Sequence, residues 1–124
     1  MKPKITTDAD FDIFKTEIQR LIKQFHLNGW NIYYENKDND NTCNASVVTD
    51  VVTRAATFRL SKKIFLYTPD EIKETALHEV CHLILADIDD LAYSRFVSKE
   101  EIIKESERTT NLIANILTEL SRNS

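Results

Sequence analysis

The shortage of glycine is the feature that most constrains this chain, because its 124 residues include one glycine and two prolines. A Gly-rich phosphate loop and a Rossmann fingerprint each need several glycines, and a flexible linker needs a run of them. The chain has none of these, so nucleotide-dependent chemistry is not expected. Its length fits one domain better than two, and we expect a single domain over residues 1–124.

Net charge and hydropathy limit the kinds of binding partner that we expect for this chain. With 20 acidic and 16 basic residues, the formal net charge is -4, which argues against nucleic acid as the main partner because phosphate binding favours a basic face. No segment approaches the roughly 18 consecutive apolar residues of a membrane span, and no secretory signal is visible. Cys43 and Cys81 make no disulfide framework, so we expect a cytoplasmic protein without a membrane partner.

Hydrophobic spacing predicts one helix followed by several strands in the first half of the chain. Residues 7–26 carry apolar side chains three and four apart, with Thr7 and Asp10 as a capping box and the pair 28–29 as the stop. Alternation of apolar and polar residues predicts strands at 30–34, 45–51, 56–60 and, briefly, 64–67. A polar loop is expected at 36–41, and a hairpin turn at 52–54.

The second half of the chain reads as helical. Thr68 as cap, Pro69 at the first helical position and Glu71 predict a helix that runs to about residue 86. A connector with a helical turn near Leu91 is expected at 87–98, and a last helix from 98 to about 120. The fold class is therefore α+β: an N-terminal helix, a small three- to four-stranded, mainly antiparallel sheet, and two further helices.

The pentad His78-Glu79-Val80-Cys81-His82 is the motif that carries chemistry. Histidines four residues apart project from one helix face, so both imidazoles can reach one Zn²⁺ ion at about 2.0–2.1 Å. Glu79 lies one residue round the helix, where it can deprotonate a water rather than bind the metal. Zinc makes that water acidic near neutral pH, and Glu79 passes the proton to the leaving amine.

The surroundings of the pentad fit a catalytic helix. We expect its apolar face to anchor it in the core; that face comprises Leu77, Val80, Cys81, Ile84 and Leu85. On this interpretation Cys81 is a small buried hydrophobe and not a ligand. The alternative, two surface histidines beside a surface glutamate, is disfavoured by the position of the pentad inside a well-capped helix.

A catalytic zinc site usually has three protein ligands and one open position. The third histidine, His26, lies at the end of the first helix, so a carboxylate is expected as the third ligand. Glu107 is our candidate because it lies on the apolar stripe of the last helix, where an unpaired carboxylate is costly. That stripe comprises Ile103, Ile113, Ala114 and Leu117. Glu105 and Glu101 are the runners-up. The alternative is that Glu107 lies at the boundary of the core and pairs with Arg108 or a lysine.

With these features the chain resembles compact zincin metallopeptidases of the SprT-like and ImmA/IrrE-like, gluzincin type, especially the short ones of phages and mobile elements. The resemblance covers most of the chain from residue 10 onward. It is carried by a tryptophan-led strand at 30–32, a hairpin into residues 55–60, the pentad within residues 76–85, and a Glu-x-x-x-Asn-x-x-Ala stretch at 107–114.

The resemblance implies more than the motif does. In that family a downstream helical glutamate is the third ligand, and by position it falls on Glu107. The family also implies a protein or peptide substrate bound as an added strand along an exposed sheet edge, for which residues 55–60 are our candidate. The chain carries no separate zinc ribbon and no helix-turn-helix, which argues against a DNA-repair role.

Three further side chains are candidates for a role in catalysis. Tyr93 could donate to the oxyanion of the tetrahedral intermediate, with simple packing as the alternative. Arg95 and Arg108 are similar candidates, with salt bridges as the alternative. We therefore expect a monomeric zinc metallopeptidase, a hydrolase that uses a metal-activated water. A zinc-stabilised regulatory or interaction protein of the same fold is the alternative, and a degenerate enzyme that binds no metal is the third.

Overall fold

A computed structural model of the chain describes residues 2–38, 43–94 and 96–122. They group into two compact units, residues 1–83 and residues 84–124. The expected α+β class is confirmed, since the described ranges contain four helices, a three-stranded sheet and a two-stranded sheet. Within those ranges no helix is both long and apolar enough to cross a membrane. The expectation of a single domain stays a prediction.

The described residues up to Ile84 hold five strands and two helices. The strands are β1 (Lys4–Ile5), β2 (Asn31–Asn36), β3 (Ala45–Asp50), β4 (Ala55–Leu60) and β5 (Lys63–Ile64). The helices are α1 (Asp8–Gln24) and α2 (Pro69–Ile84). The predictions of β2, β3 and β4 are right to within two residues at each end. β1 is too short to show an alternation, and part of the predicted 36–41 loop, residues 39–42, lies outside the described residues.

The three-stranded sheet has the order β2–β4–β3. β4 pairs with β2 in parallel and with β3 in antiparallel orientation, so both of its edges are occupied. The prediction that residues 55–60 form an exposed sheet edge is therefore wrong, and the free edges of this sheet belong to β2 and β3. The sequence does not predict the strand order, because β2 pairs with β4 and not with β3, which follows it in the chain. Alternation of apolar and polar residues indicates only which face of the sheet each side chain lies on.

One face of this sheet is buried and the other is open. On β4, Ala56, Phe58 and Leu60 are fully buried, whereas Tyr33 of β2 and Val48 of β3 are each 57% exposed on the opposite face. The helices of the unit contribute further buried apolar side chains, which are Phe14, Ile18, Leu21, Ile72, Ala76, Val80 and Leu83. The core of residues 1–83 therefore lies on one side of the sheet.

The start of α1 is a capping box, as predicted. Thr7 Oγ1 accepts a hydrogen bond from the Asp10 backbone N–H at 3.1 Å, and Asp10 Oδ2 accepts one from the Thr7 N–H at 3.0 Å. The Lys4 ammonium lies 3.0 Å from the same carboxylate. Burial raises the pKa of Asp10, but these hydrogen bonds from Thr7 and Lys4 outweigh burial, so the pKa lies below its ordinary value.

The end of α1 differs from the prediction. The helix ends at Gln24 with Phe25 as its C-cap, and His26 takes a left-handed φ of 56°. The Leu27 N–H returns to the Ile22 carbonyl at 2.9 Å, which together with His26 makes a Schellman motif. The prediction that residues 28–29 supply the left-handed stop is therefore wrong. Histidine is a rare choice at a position that usually selects glycine, so the sequence carries no signal for it.

Residues 84–124 hold two helices, α3 (Ala86–Tyr93) and α4 (Lys99–Arg122), which pack against each other. Ser98 Oγ accepts from the Glu101 N–H at 3.1 Å, and the Glu101 carboxylate bonds back to Ser98, so the predicted cap of α4 is confirmed. The predicted connector at 87–98 is instead mostly helix, because α3 is two turns long and not the single turn expected near Leu91.

Candidate metal centre on helix α2

Helix α2 begins where the sequence predicts. Thr68 Oγ1 accepts a hydrogen bond from the Glu71 N–H at 3.2 Å and donates to the Glu71 carboxyl at 3.1 Å. Pro69 is the first helical residue, where its missing N–H costs no hydrogen bond. The pentad at 78–82 lies in the last two turns of the helix, so its backbone geometry is set by a regular α-helix.

His78 and His82 come together on the exposed side of α2. Their Nε2 atoms lie 3.2 Å apart, and their ring centroids lie 4.9 Å apart with the ring planes at 78°. Two nitrogens that bind one tetrahedral zinc at 2.0–2.1 Å would lie about 3.3 Å from each other. The pair therefore has the donor type and the separation that a zinc ion requires.

Glu79 lies beside the histidine pair on the buried side of α2. It is 5% exposed, and it is the only buried acidic residue of α2, all of whose residues the structure describes. No described residue donates a hydrogen bond to its carboxyl. Burial raises the pKa of this carboxyl, and His82 and His78 offset part of the increase. A raised pKa makes the carboxylate a better proton acceptor near neutral pH.

The buried side of α2 is rotated from the predicted one. Val80 and Ile84 are buried as expected, but Leu77 and Leu85 are 41% and 38% exposed, and Cys81 is exposed. The prediction that Cys81 is a buried hydrophobe is therefore wrong. The helix buries the arc that contains Glu79 instead, because its apolar residues are compatible with two neighbouring faces and the spacing does not choose between them. Cys81 forms no disulfide with Cys43.

Three metal ligands are not seen together in the part of the chain that the structure describes. Over residues 2–38, 43–94 and 96–122, no three His, Cys, Asp or Glu side chains lie close enough to hold one metal ion. The histidine pair could supply two of the three protein ligands that a catalytic zinc site usually has. The third ligand stays a prediction from the sequence.

The glutamates predicted as third ligand differ in their surroundings. Glu107 is exposed, so the argument that placed it on a core-facing stripe is wrong. The buried or half-buried side of α4 comprises Glu105, Thr109, Leu112, Ile116 and Glu119. Glu101 is held in the helix cap, and Glu105 pairs with Arg108 at 2.8 Å. Glu107 has no hydrogen bond or ion pair with a described residue, so its carboxylate is available to a ligand.

The other candidates lie in residues 84–124. Tyr93 ends α3 and is 91% exposed, so its alternative reading as a packed side chain is wrong. Arg108 donates from Nη2 to Asp87 at 2.5 Å and from Nε to Glu105 at 2.8 Å, which confirms the salt-bridge interpretation. The Arg108–Asp87 pair links α4 to α3 across 21 residues, a contact that no local pattern could predict. Arg95 lies outside the described residues.

Comparison with known proteins does not assign the chain to a family. No protein-family model matches it, and neither the curated proteins nor the solved structures give a significant match. The pentad and the positions of its His78, Glu79 and His82 side chains are therefore what indicates the chemistry of this chain.

Proposed function

We propose that this protein is a zinc-dependent metallopeptidase that hydrolyses peptide bonds in a protein or peptide substrate. The observation that supports the proposal best is the 3.2 Å approach of the His78 and His82 Nε2 atoms on an exposed helix face, beside the buried Glu79. The H-E-x-x-H spacing on a helix is the arrangement in which zinc peptidases hold their metal and their general base.

Three residues of the pentad have a definite role in this proposal. When bound, Zn²⁺ supplies a Lewis acid and makes a water acidic near neutral pH. His78 and His82 would hold the metal through Nε2, with the ring proton of each on Nδ1. Glu79 accepts a proton from the attacking water and delivers it to the leaving amine. Desolvation raises the pKa of Glu79, which makes its carboxylate a stronger base for the first of these transfers.

The third ligand and the oxyanion donor belong to the same proposal. Glu107 is favoured as third ligand over Glu105 and Glu101, because the latter two carboxylates already have partners. Tyr93 is the proposed oxyanion donor, and its exposed side chain leaves the phenol hydroxyl accessible.

The substrate strand needs a free sheet edge, and β3 is the candidate that replaces residues 55–60. β3 pairs with β4 on one side only, and no described strand pairs with its other edge. That edge offers a row of backbone N–H and C=O groups to an extended peptide. β2 is the second free edge of the same sheet and the alternative for this role.

The proposal is tested by metal content and cleavage measured on the same samples. Elemental analysis of zinc-loaded protein should give about one zinc per chain, and an unfolded casein should be cleaved. Glu79→Gln should keep its zinc and lose activity by about 10²-fold or more, because it removes the base but no ligand. His78→Ala and His82→Ala should lose both zinc and activity.

The matched control is His26→Ala, which removes the third histidine of the chain and should change neither zinc content nor cleavage. Glu107→Gln should lower zinc occupancy, whereas Glu101→Gln should not. The proposal fails if no zinc can be loaded, or if Glu79→Gln cleaves casein as fast as the wild type. Only the assignment of Glu107 as third ligand fails if the Glu107→Gln variant binds zinc with unchanged affinity.

A second candidate function is a zinc-stabilised regulatory or interaction protein, which the free edge of β3 supports. Here the metal would stabilise the fold and the sheet edge would bind a partner chain. The activities of one pair of variants distinguish the two functions. For the interaction protein, Glu79→Gln keeps the biological activity and His78→Ala abolishes it, whereas a peptidase loses activity with both.

A further inference from the structure

The backbone groups of alternate residues in β3 point away from its partner strand. The Ser61 N–H donates to the Asn44 carbonyl at 2.9 Å, so the backbone of residue 44 faces β4. Successive residues of a paired strand point their N–H and C=O groups to opposite edges, and the register of β3 against β4 is regular throughout. The residues whose backbone groups face the unpaired edge are therefore Ala45, Val47 and Thr49.

β3 lacks the features that usually protect an edge strand from further pairing. Those features are lysines, prolines, bulges and inward-pointing charges. Residues 45–50 contain no lysine, proline or glycine, and they pair with β4 without a bulge. The single charged residue, Asp50, ends the strand, and its carboxylate accepts from the Val52 and Thr53 N–H groups at 3.0 and 3.2 Å. Nothing in the strand itself therefore opposes pairing with another strand.

The core side of β3 is incompletely covered. Val47 lies opposite Phe58 of β4, which is fully buried, yet Val47 itself is only half-buried. The same holds for Ala45, which lies opposite the fully buried Leu60. In an added strand, the residue directly opposite Val47 has its side chain on this same side of the sheet. An apolar side chain there would cover Val47 and extend the core, whereas its neighbours on the open side would stay in water.

The edge of β2 is less suited to an added strand. β2 carries Glu35 within the strand and an asparagine at each end, which are residue types that strands disfavour. On its core side Tyr34 stacks with Phe58, with ring centroids 6.3 Å apart, so a large side chain already covers the core there. The half-covered edge of β3 is therefore the better site.

We propose that β3 selects extended segments in which apolar and polar residues alternate, and that it binds them in antiparallel orientation through the backbone of Ala45, Val47 and Thr49. The apolar residues of the segment lie on the core side, opposite these three. Antiparallel pairing is favoured because it is the more stable per residue. The inference rests on the proposed peptidase function, since the bound segment is the substrate. The substrate class is then an unfolded protein that exposes the alternating pattern of a half-buried strand.

Fluorescence anisotropy with two labelled peptides of one composition tests this selection. The probe is Lys-Thr-Val-Thr-Val-Thr-Val-Lys, and its control is Lys-Val-Val-Val-Thr-Thr-Thr-Lys, in which the valines do not alternate. Both are titrated with the Glu79→Gln protein, so that no peptide is cleaved during the measurement. The alternating peptide should bind at least about tenfold more tightly. Because binding is measured without cleavage or zinc, a failure of the proposed catalytic chemistry leaves this result unchanged.

A matched pair of variants locates the binding edge. Val47→Lys places a charge on the core side of the strand and should weaken binding of the alternating peptide by at least about tenfold. Val48→Lys makes the same change on the open side, where Val48 is 57% exposed, and should alter binding by less than about twofold. The Tm of both variants is measured alongside, to show that each is folded.

N-methylated peptides test the hydrogen bonds on an unaltered β3. Antiparallel pairing points the N–H groups of the valines at β3 and those of the threonines away from it. N-methylation of the central valine should therefore abolish binding, and N-methylation of the neighbouring threonine should not. The reverse result overturns the antiparallel orientation.

Two further outcomes would overturn the proposal. Equal binding of the alternating and control peptides, or undiminished binding by Val47→Lys, would show that β3 does not select the segment. A wild type that sediments as a dimer, and that Val47→Lys converts to a monomer, would assign the edge to a second copy of the chain instead of a substrate.

Discussion

Glu79→Gln should make the metal-free protein more stable while it removes the proposed activity. The residue Glu79 is 5% exposed, and no described residue hydrogen-bonds to its carboxyl. Burying an unpaired carboxylate costs more desolvation free energy than burying a neutral amide of the same shape. His78 and His82 offset some of that cost, so we expect a gain of about 1–2 kcal/mol in the free energy of unfolding.

For a chain of this size, that gain corresponds to a Tm increase of about 3–8 °C. The assay is thermal unfolding followed by circular dichroism at about pH 7.5, with a chelator present. The matched control is Glu74→Gln, which makes the same chemical change at an exposed position of α2 and should shift Tm by about 1 °C or less. A Tm of Glu79→Gln at or below that of the wild type would refute the reasoning, because the carboxylate would then be stabilised by its surroundings.

Two further predictions concern the fold. Phe58→Ala on the central strand should lower the free energy of unfolding in urea by about 3–5 kcal/mol, because the side chain is fully buried, whereas Val48→Ala on the open face should cost less than about 1 kcal/mol. Equal losses for the two variants would contradict this assignment of the faces. Asp10→Asn should cost about 1–2 kcal/mol at neutral pH, because it weakens the cap and the ion pair with Lys4. Since the folded-state pKa of Asp10 is lowered, its stabilisation is present above about pH 4 and is lost as the pH falls through that pKa, so wild-type and variant urea curves should converge in acid. The exposed Asp12→Asn should show little difference at any pH, and a gap for Asp10→Asn that persists in strong acid would count against the carboxylate as its source.

The local signals in the sequence predict the starts of α1, α2 and α4 well. The capping pairs Thr7 with Asp10, Thr68 with Glu71 and Ser98 with Glu101 all form hydrogen bonds in the structure. These contacts span three residues, so their geometry follows from the backbone alone. The histidine pair belongs to the same class, because the spacing of four residues places both rings on one side of a helix whatever surrounds it.

Contacts between distant residues had no such signal. The position of β4 in the centre of the sheet depends on a parallel pairing with β2 that skips β3. No local pattern predicts the ion pair between Arg108 and Asp87. The same is true of the left-handed backbone conformation of His26. In each case several arrangements satisfy the local preferences, and only the packed chain selects among them.

The sequence by itself determined that the pentad lies on a capped helix with His78 and His82 side by side, because helix geometry and capping act over four residues or fewer. It also determined that α4 carries an apolar stripe. Only the tertiary structure decided which arc of each helix is covered. It buried Glu79 and exposed Cys81 on α2, and it left the stripe of α4 open. Periodicity reports that a helix has an apolar side, but burial depends on which surfaces the rest of the chain brings against it.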